Sequence, residues 1–224
     1  MSSNNQIEVV LPDNSKMEME KGSTVGDVAK KISQGLYNHS IAGKVNGELK
    51  DLSYTLSDGD KVTIVKEDEP EAEDILLHST AHVMAEAVQD LYPEAKVTIG
   101  PAIENKFYYD FDKEPPFTDE DLEKIEDRMK EIIDKDLEFE RKEIPRKKAI
   151  ELFKEKDEDY KVEIIKELDE QETISLYEQG DFVDLCRGPH VPSTGKIKAF
   201  KLLNTAGAYW RGDSSNKMLS RIYG

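Results

Sequence analysis

Cysteine is nearly missing from this chain. The single one, Cys186 among 224 residues, cannot close an intramolecular disulfide, and it rules out a structural four-cysteine zinc site. No apolar run approaches the roughly 18–20 residues that a membrane-spanning helix needs. The opening Met-Ser-Ser-Asn-Asn has neither the charged nor the apolar part of a secretory signal, so the expected setting is the cytosol, with no membrane partner. Basic residues are scarce too, 31 Lys and Arg against 48 Asp and Glu, for a net charge of −17. Phosphates repel such a surface, yet the charge is uneven. Basic and acidic residues number 8 and 9 over 1–66, 16 and 36 over 67–180, and 7 and 3 over 181–224. The last stretch is basic and carries Tyr209, Trp210 and Tyr223, so a polyanion could be met locally.

A length of 224 residues allows one large domain or two smaller ones. Residues 6–11 and 16–20 read as strands around the turn-forming Asp13-Asn14-Ser15. Ser23 and Thr24 can cap a helix carrying Val25, Val28, Ala29 and Ile32, with Gly35 as its expected stop. Two strands flank Asn46-Gly47 and a last one covers Lys61 to Val65, which gives residues 1–66 a small β-grasp layout. The acidic, proline-containing stretch 67–73 reads as a linker. Beyond it, Asp74 can cap a helix to about Tyr92, strands are expected at 96–103 and 106–112, and Thr118 opens an amphipathic surface helix. A short helix at 146–156 and strands at 172–178, 181–186 and 197–203 complete the reading. The fold class is α+β, a β-grasp domain followed by a larger domain, 74–224, of helices on a mostly antiparallel sheet.

Two constellations can carry chemistry. His78-Ser79-Thr80-Ala81-His82 sets two imidazoles one turn apart on a helix face, away from the centre of the stripe formed by Leu77, Ala81, Met84, Val88 and Leu91. A zincin needs glutamate beside the first histidine, where Ser79 stands. The second, Asp184-Leu185-Cys186-Arg187-Gly188-Pro189-His190, places Asp184 and Cys186 on one face of a strand, with a turn able to return His190 beside them. The quartet His78, His82, Cys186 and His190 then reads as a zinc site, as a metal-free hydrolytic pocket in which imidazoles and a lysine position water, or as an accidental set. Spacing alone leans toward zinc. Residues 205–214 read as a tight turn with buried rings or as a wall for stacking a nucleobase.

These two motifs, with Phe107-Tyr108-Tyr109-Asp110-Phe111 and the run from Thr205 to Gly224, closely resemble the amino-terminal region of the bacterial threonyl-tRNA synthetase family. The resemblance covers the entire chain. It implies a ubiquitin-like TGS domain at 1–66 and, over 74–224, an editing domain related to that of alanyl-tRNA synthetases. The implied task follows from selectivity: a pocket sized for threonine cannot exclude serine, because one methyl is worth only about 1–3 kcal/mol. A second, smaller pocket then hydrolyses seryl-tRNA(Thr) to serine and tRNA.

Carried over by the resemblance, His78, His82, Cys186 and His190 line the site, and Lys161 holds the seryl group and the attacking water. Asp184 binds the seryl ammonium or hydroxyl, Tyr109 and Tyr177 shape the pocket, and the backbone near Gly100 and Leu185 receives the terminal adenosine. The resemblance implies no metal and no cofactor, zinc at the quartet being the alternative, and it makes the partners the serine-bearing acceptor end of tRNA(Thr) and the rest of the synthetase. The chain stops before a class II core, so no ligase activity is expected. Phosphate attraction is expected only from the basic stretch between Lys196 and Arg221, which implies weak tRNA binding. Asn105-Lys106 departs from the family pattern, which has glycine there, and Gln179-Gly180 falls in a variable spot. The readings from other classes are a non-catalytic RNA-binding or regulatory module and a zinc-dependent esterase.

Overall fold

A computed structural model describes residues 5–224. The chain divides into two units, the residues up to Leu76 together with Gly188–Pro192, and Leu77–Arg187 together with Ser193–Gly224.

In the first unit, β1 (Gln6–Val10) and β2 (Lys16–Glu20) form an antiparallel hairpin. The Asp13 carboxylate accepts the Ser15 amide at 2.9 Å within its turn, and Asn14 takes a left-handed φ of 65°, which asparagine tolerates. Helix α1 (Val25–Ile32) is opened by a capping box in which Thr24 and Asp27 satisfy each other's amides. It stops at Ser33 rather than at the expected Gly35: Ser33 is extended, and its hydroxyl accepts the Leu36 amide to open α2 (Gln34–His39), which contains Gly35. Next, β3 (Ser40–Val45) lies between β4 (Glu48–Asp51) and β5 (Val62–Lys66). Asn46 and Gly47 both have positive φ, as a two-residue hairpin turn requires. Val9, Val25, Val28, Val45 and Val62 meet in the core, the β-grasp arrangement expected from the sequence.

Helix α3 spans Pro70–Leu91, so the stretch 67–73 is not all linker and the helix starts four residues ahead of Asp74. The linker-like composition is that of a helix start, where proline loses no hydrogen bond and Glu71 and Glu73 oppose the macrodipole.

In the second unit every residue from Ser79 to Val88 is buried, so α3 is a central helix rather than one with a single apolar stripe. The expected strand 96–103 is split into β6 (Lys96–Val97) and β7 (Ala102–Ile103), both pairing with β8 (Lys106–Asp112). Asn105 supplies the left-handed residue of the β7–β8 turn, φ 56°, the job a glycine would do. Helix α4 (Asp119–Asp134) lays Leu122, Ile125, Met129 and Ile132 inward and is capped by Thr118. Thr118→Ala removes the hydroxyl that accepts the Asp121 amide and is expected to cost about 1 kcal/mol, read as a Tm lower by about 2–4 °C.

In the second unit four strands and α-helices lie outside those expected from the sequence. Strand β9 (Glu140–Ile144) carries almost nothing apolar and is exposed nearly throughout, so it gives no alternating signal. After α5 (Arg146–Glu155), helix α6 (Asp159–Glu167) begins behind Asp157, whose left-handed φ of 58° makes the break without a glycine. Strands β10 (Ile174–Gln179) and β11 (Phe182–Leu185) form a hairpin, and β9 joins it in a three-stranded sheet. Phe153, Val162, Ile165, Ile174 and Leu176 join α5, α6 and β10 in one cluster. The expected strand 197–203 is irregular, and the strands lie beyond it, β12 (Asn204–Tyr209) and β13 (Met218–Tyr223), in the order β12-β13-β8-β6.

Candidate active site

Four elements of the second unit converge. Helix α3 contributes His78 and His82, with ring centroids 4.9 Å apart at an interplanar angle of 72°. Strand β8 contributes Tyr109, α6 contributes Lys161, and β11 contributes Asp184, with Cys186 following it. His82, Asp184 and Lys161 are 2%, 1% and 3% exposed, which corrects the placement of His82 off the core. A helix enclosed on all sides buries its polar positions together with its apolar ones.

Burying an ammonium and a carboxylate is tolerable only if they neutralise each other and find further hydrogen bonds. Both conditions hold. Lys161 Nζ is ion-paired with Asp184 Oδ1 and donates to the Tyr109 hydroxyl at 2.9 Å. That hydroxyl donates to Asp184 Oδ2 at 2.5 Å, and His82 Nε2 stands 3.5 Å from the same oxygen. Burial, with the Asp184 charge, pushes the Tyr109 phenol well above its ordinary range, so it remains a donor. Tyr177 is buried directly across the ladder from Asp184. The Leu185 side chain packs against the α5–α6 cluster.

His78 Nε2 and Cys186 Sγ share a hydrogen bond at 3.0 Å, and both residues are partly exposed. Burial lowers the His78 pKa, opposed by the Asp184 charge and by a hydrogen bond to the Gly100 backbone. His82 is pushed well below its ordinary value by burial, then by His78 and Lys161. Both rings are therefore neutral near pH 7. Gly100 has no room for a side chain, since a Cβ there would overlap the Tyr109 ring. Gly100→Ala is expected to displace Tyr109 from Asp184 and to destabilise the fold by about 1–3 kcal/mol, measurable by urea unfolding.

One ligand atom each from His78, His82 and Cys186 falls within 4.8 Å of the others. These donor types could hold a metal ion; in this arrangement His78 Nε2 and Cys186 Sγ are hydrogen-bonded to each other at 3.0 Å, nearer than the roughly 3.5 Å that separates nitrogen and sulfur ligands of one tetrahedral zinc. His190 belongs to the segment Gly188–Pro192 of the first unit, where its ring is buried and its amide donates to Asp51 Oδ1 at 2.9 Å.

Four cations of the basic stretch are paired with carboxylates. Lys201 pairs with Glu126 at 2.8 Å, Arg211 with Glu163 at 3.1 Å, Lys217 with Asp112 at 2.7 Å and Arg221 with Asp110 at 2.6 Å. Each is supplied with a carboxylate by another element, which residue counting within 181–224 does not register. Trp210 is buried against Tyr160, ring centroids 5.0 Å apart, and donates to Glu163, so its ring is no stacking wall. Sequence reading missed Glu158, buried beside Lys161 on the unanticipated α6; an isolated glutamate in a charged stretch carries no signal of its own.

Among known proteins, the family described as TGS domain matches residues 7–66, and the family described as Threonyl and Alanyl tRNA synthetase second additional domain matches 174–223. Threonine–tRNA ligases of Pelobacter propionicus and Acetivibrio thermocellus are each 56% identical over 218 residues, 97% of this chain and 34% of theirs. That of Geobacter sp. strain M21 is 56% identical over 220 residues, 98% of this chain and 34% of its own. The chain thus spans about a third of the length of these relatives. No helix among the described residues is long and apolar enough to cross a membrane. The chain carries a TGS domain and an editing-type second additional domain, and over nearly its whole length it is similar to the amino-terminal region of threonine–tRNA ligases.

Proposed function

We propose that this chain hydrolyses the ester of mischarged seryl-tRNA(Thr), releasing serine and tRNA, without a metal. The observation that carries the reading is the buried Lys161–Asp184–Tyr109 cluster beside two imidazoles held neutral, in a chain similar to threonine–tRNA ligases. Lys161 commits two of its three N–H groups to Asp184 and Tyr109, and the third points the attacking water or the ester carbonyl. His78 Nε2 exchanges its Cys186 partner for that water and accepts a hydrogen bond from it. The water oxygen attacks the carbonyl carbon, the bond to the ribose oxygen breaks, and the proton lost by water ends on the ribose oxygen, with the neighbouring ribose hydroxyl sharing the transfer. Asp184 keeps lone pairs for the seryl ammonium or hydroxyl, Tyr109 and Tyr177 limit the pocket, and Cys186 and His82 line it. The backbone at Gly100 and Leu185 receives the terminal adenosine.

The partner is the serine-bearing acceptor end of tRNA(Thr), with the remainder of a full-length synthetase supplying affinity. Cations already paired with carboxylates contribute little phosphate attraction. The test is ester loss from seryl-tRNA(Thr) and threonyl-tRNA(Thr), with and without chelator, against the uncatalysed rate. Serine-selective, chelator-resistant loss is expected. Chelator-sensitive loss would make the quartet a zinc site, and no loss would favour a binding module.

A further inference from the structure

We infer that Glu158 is a positioning residue for Lys161, clamping the start of α6 to α3 and β6 so that the ammonium is held at the site. This rests on the deacylation reading above.

Glu158 is 5% exposed and stands immediately before α6, three residues ahead of Lys161. It occupies the N-cap position of α6, but its side chain makes no bond to the α6 amides. Its carboxylate reaches elsewhere. Oε1 accepts from Gln89 Nε2 on α3, and Oε2 accepts the Val97 amide of β6 at 3.0 Å. These are the elements that build the site: α3 carries His78 and His82, and β6 leads into Gly100, whose backbone bonds to His78. One side chain therefore ties the base of the lysine helix to both walls. A salt bridge from Lys96 on β6 to Asp159 at 2.8 Å spans the same junction at the surface, where solvent and salt weaken it.

The groups facing Glu158 are Lys161 on α6, Asp184 on β11, Tyr109 on β8 and Gln89 on α3. Burial pushes its carboxyl up to about 7, against the opposing pull of Lys161. It is held by neutral donors in either protonation state, as suits a clamp rather than a partner for substrate. Displacing a reacting group by about 1 Å can cost on the order of 100-fold in rate.

The experiment compares the full 224-residue chain with Glu158→Gln and Glu158→Ala. Glutamine keeps an acceptor for Val97, and Gln89 can turn its amide to suit; alanine loses both bonds. With seryl-tRNA(Thr), Glu158→Ala is expected to lose about 10–100-fold in kcat with KM within about twofold, and Glu158→Gln to recover most of it. By NMR, the Val97 amide should exchange faster and the Lys161 ammonium signal should move in Glu158→Ala only. Circular dichroism identifies a variant that has not folded, in which case Glu158→Gln and its two NMR signals decide. Wild-type kcat in Glu158→Ala, a loss borne by KM, equal losses in both variants, or an unmoved Lys161 signal would overturn the inference. If the wild type itself spares the ester, the function fails, and the Val97 and Lys161 signals still decide the clamp.

Discussion

Lys161→Met is expected to reduce deacylation of seryl-tRNA(Thr) by about 10²–10⁴-fold and to destabilise the fold by about 3–5 kcal/mol. Both effects have one origin. Asp184 is 1% exposed, and without the ammonium its charge retains only the Tyr109 hydroxyl at 2.5 Å and His82 at 3.5 Å. A buried charge deprived of its counter-ion loses far more than the intact pair was worth. The double variant Lys161→Met/Asp184→Asn separates the consequences. Removing the orphaned charge should return most of the stability in urea unfolding, while the rate stays low because no ammonium orients water or ester. A double variant as unstable as the single one would mean that the pair is not the source of the loss. A Lys161→Met protein that is folded and hydrolyses serine at the wild-type rate would remove Lys161 from the chemistry.

The parts of this site differed in how visible they were before folding. The histidine pair was legible because i and i+4 fix a common helix face, and the Asp184–Cys186 alternation because a strand repeats every two residues. Their burial was not, since an amphipathic pattern assumes one wet face and α3 has none between Ser79 and Val88. Lys161 entered through family resemblance alone. Its helix shows only Val162 and Ile165 as buried apolar positions and follows a break made by Asp157 rather than glycine. The β-grasp unit was easier to read, because most of its turns are written in local chemistry, Asp13-Asn14-Ser15, the Thr24 cap and Asn46-Gly47, although the break at Ser33 that opens α2 was not legible in the same way. Strand β9 is the opposite case, a charged edge strand whose solvation is a safeguard against sheet extension and erases the alternation that would reveal it. The charge of the last stretch misled for a related reason. A net count along the sequence treats neighbours in the chain as neighbours in space, and Glu126, Glu163, Asp112 and Asp110 reach those cations from α4, α6 and β8.

His78→Ala should lower kcat by about 100-fold and leave KM nearly unchanged, since the ring meets water rather than the bulk of the tRNA. The pH dependence of the wild type supplies a second, independent check. Neutral imidazole is the form that accepts a hydrogen bond from water, and burial lowers the His78 pKa from its ordinary 6.5. Activity should therefore persist as pH falls through 6.5 and fail only below it. Stability must be followed alongside, because two sets of groups act in opposite directions. The histidines of the unfolded chain take up protons near 6.5 while His78 and His82 of the folded one resist, so their contribution is lost as pH falls below 6.5. Glu158 holds its proton in the fold up to about 7 and releases it near 4.5 when unfolded, so its contribution declines as pH rises across that interval. A thermal unfolding series over the same pH range separates loss of fold from protonation of the site. An acid limb of kcat centred at or above 6.5 in fully folded protein, or wild-type kcat in folded His78→Ala, would leave His78 as a wall of the pocket and the orientation of the water to Lys161.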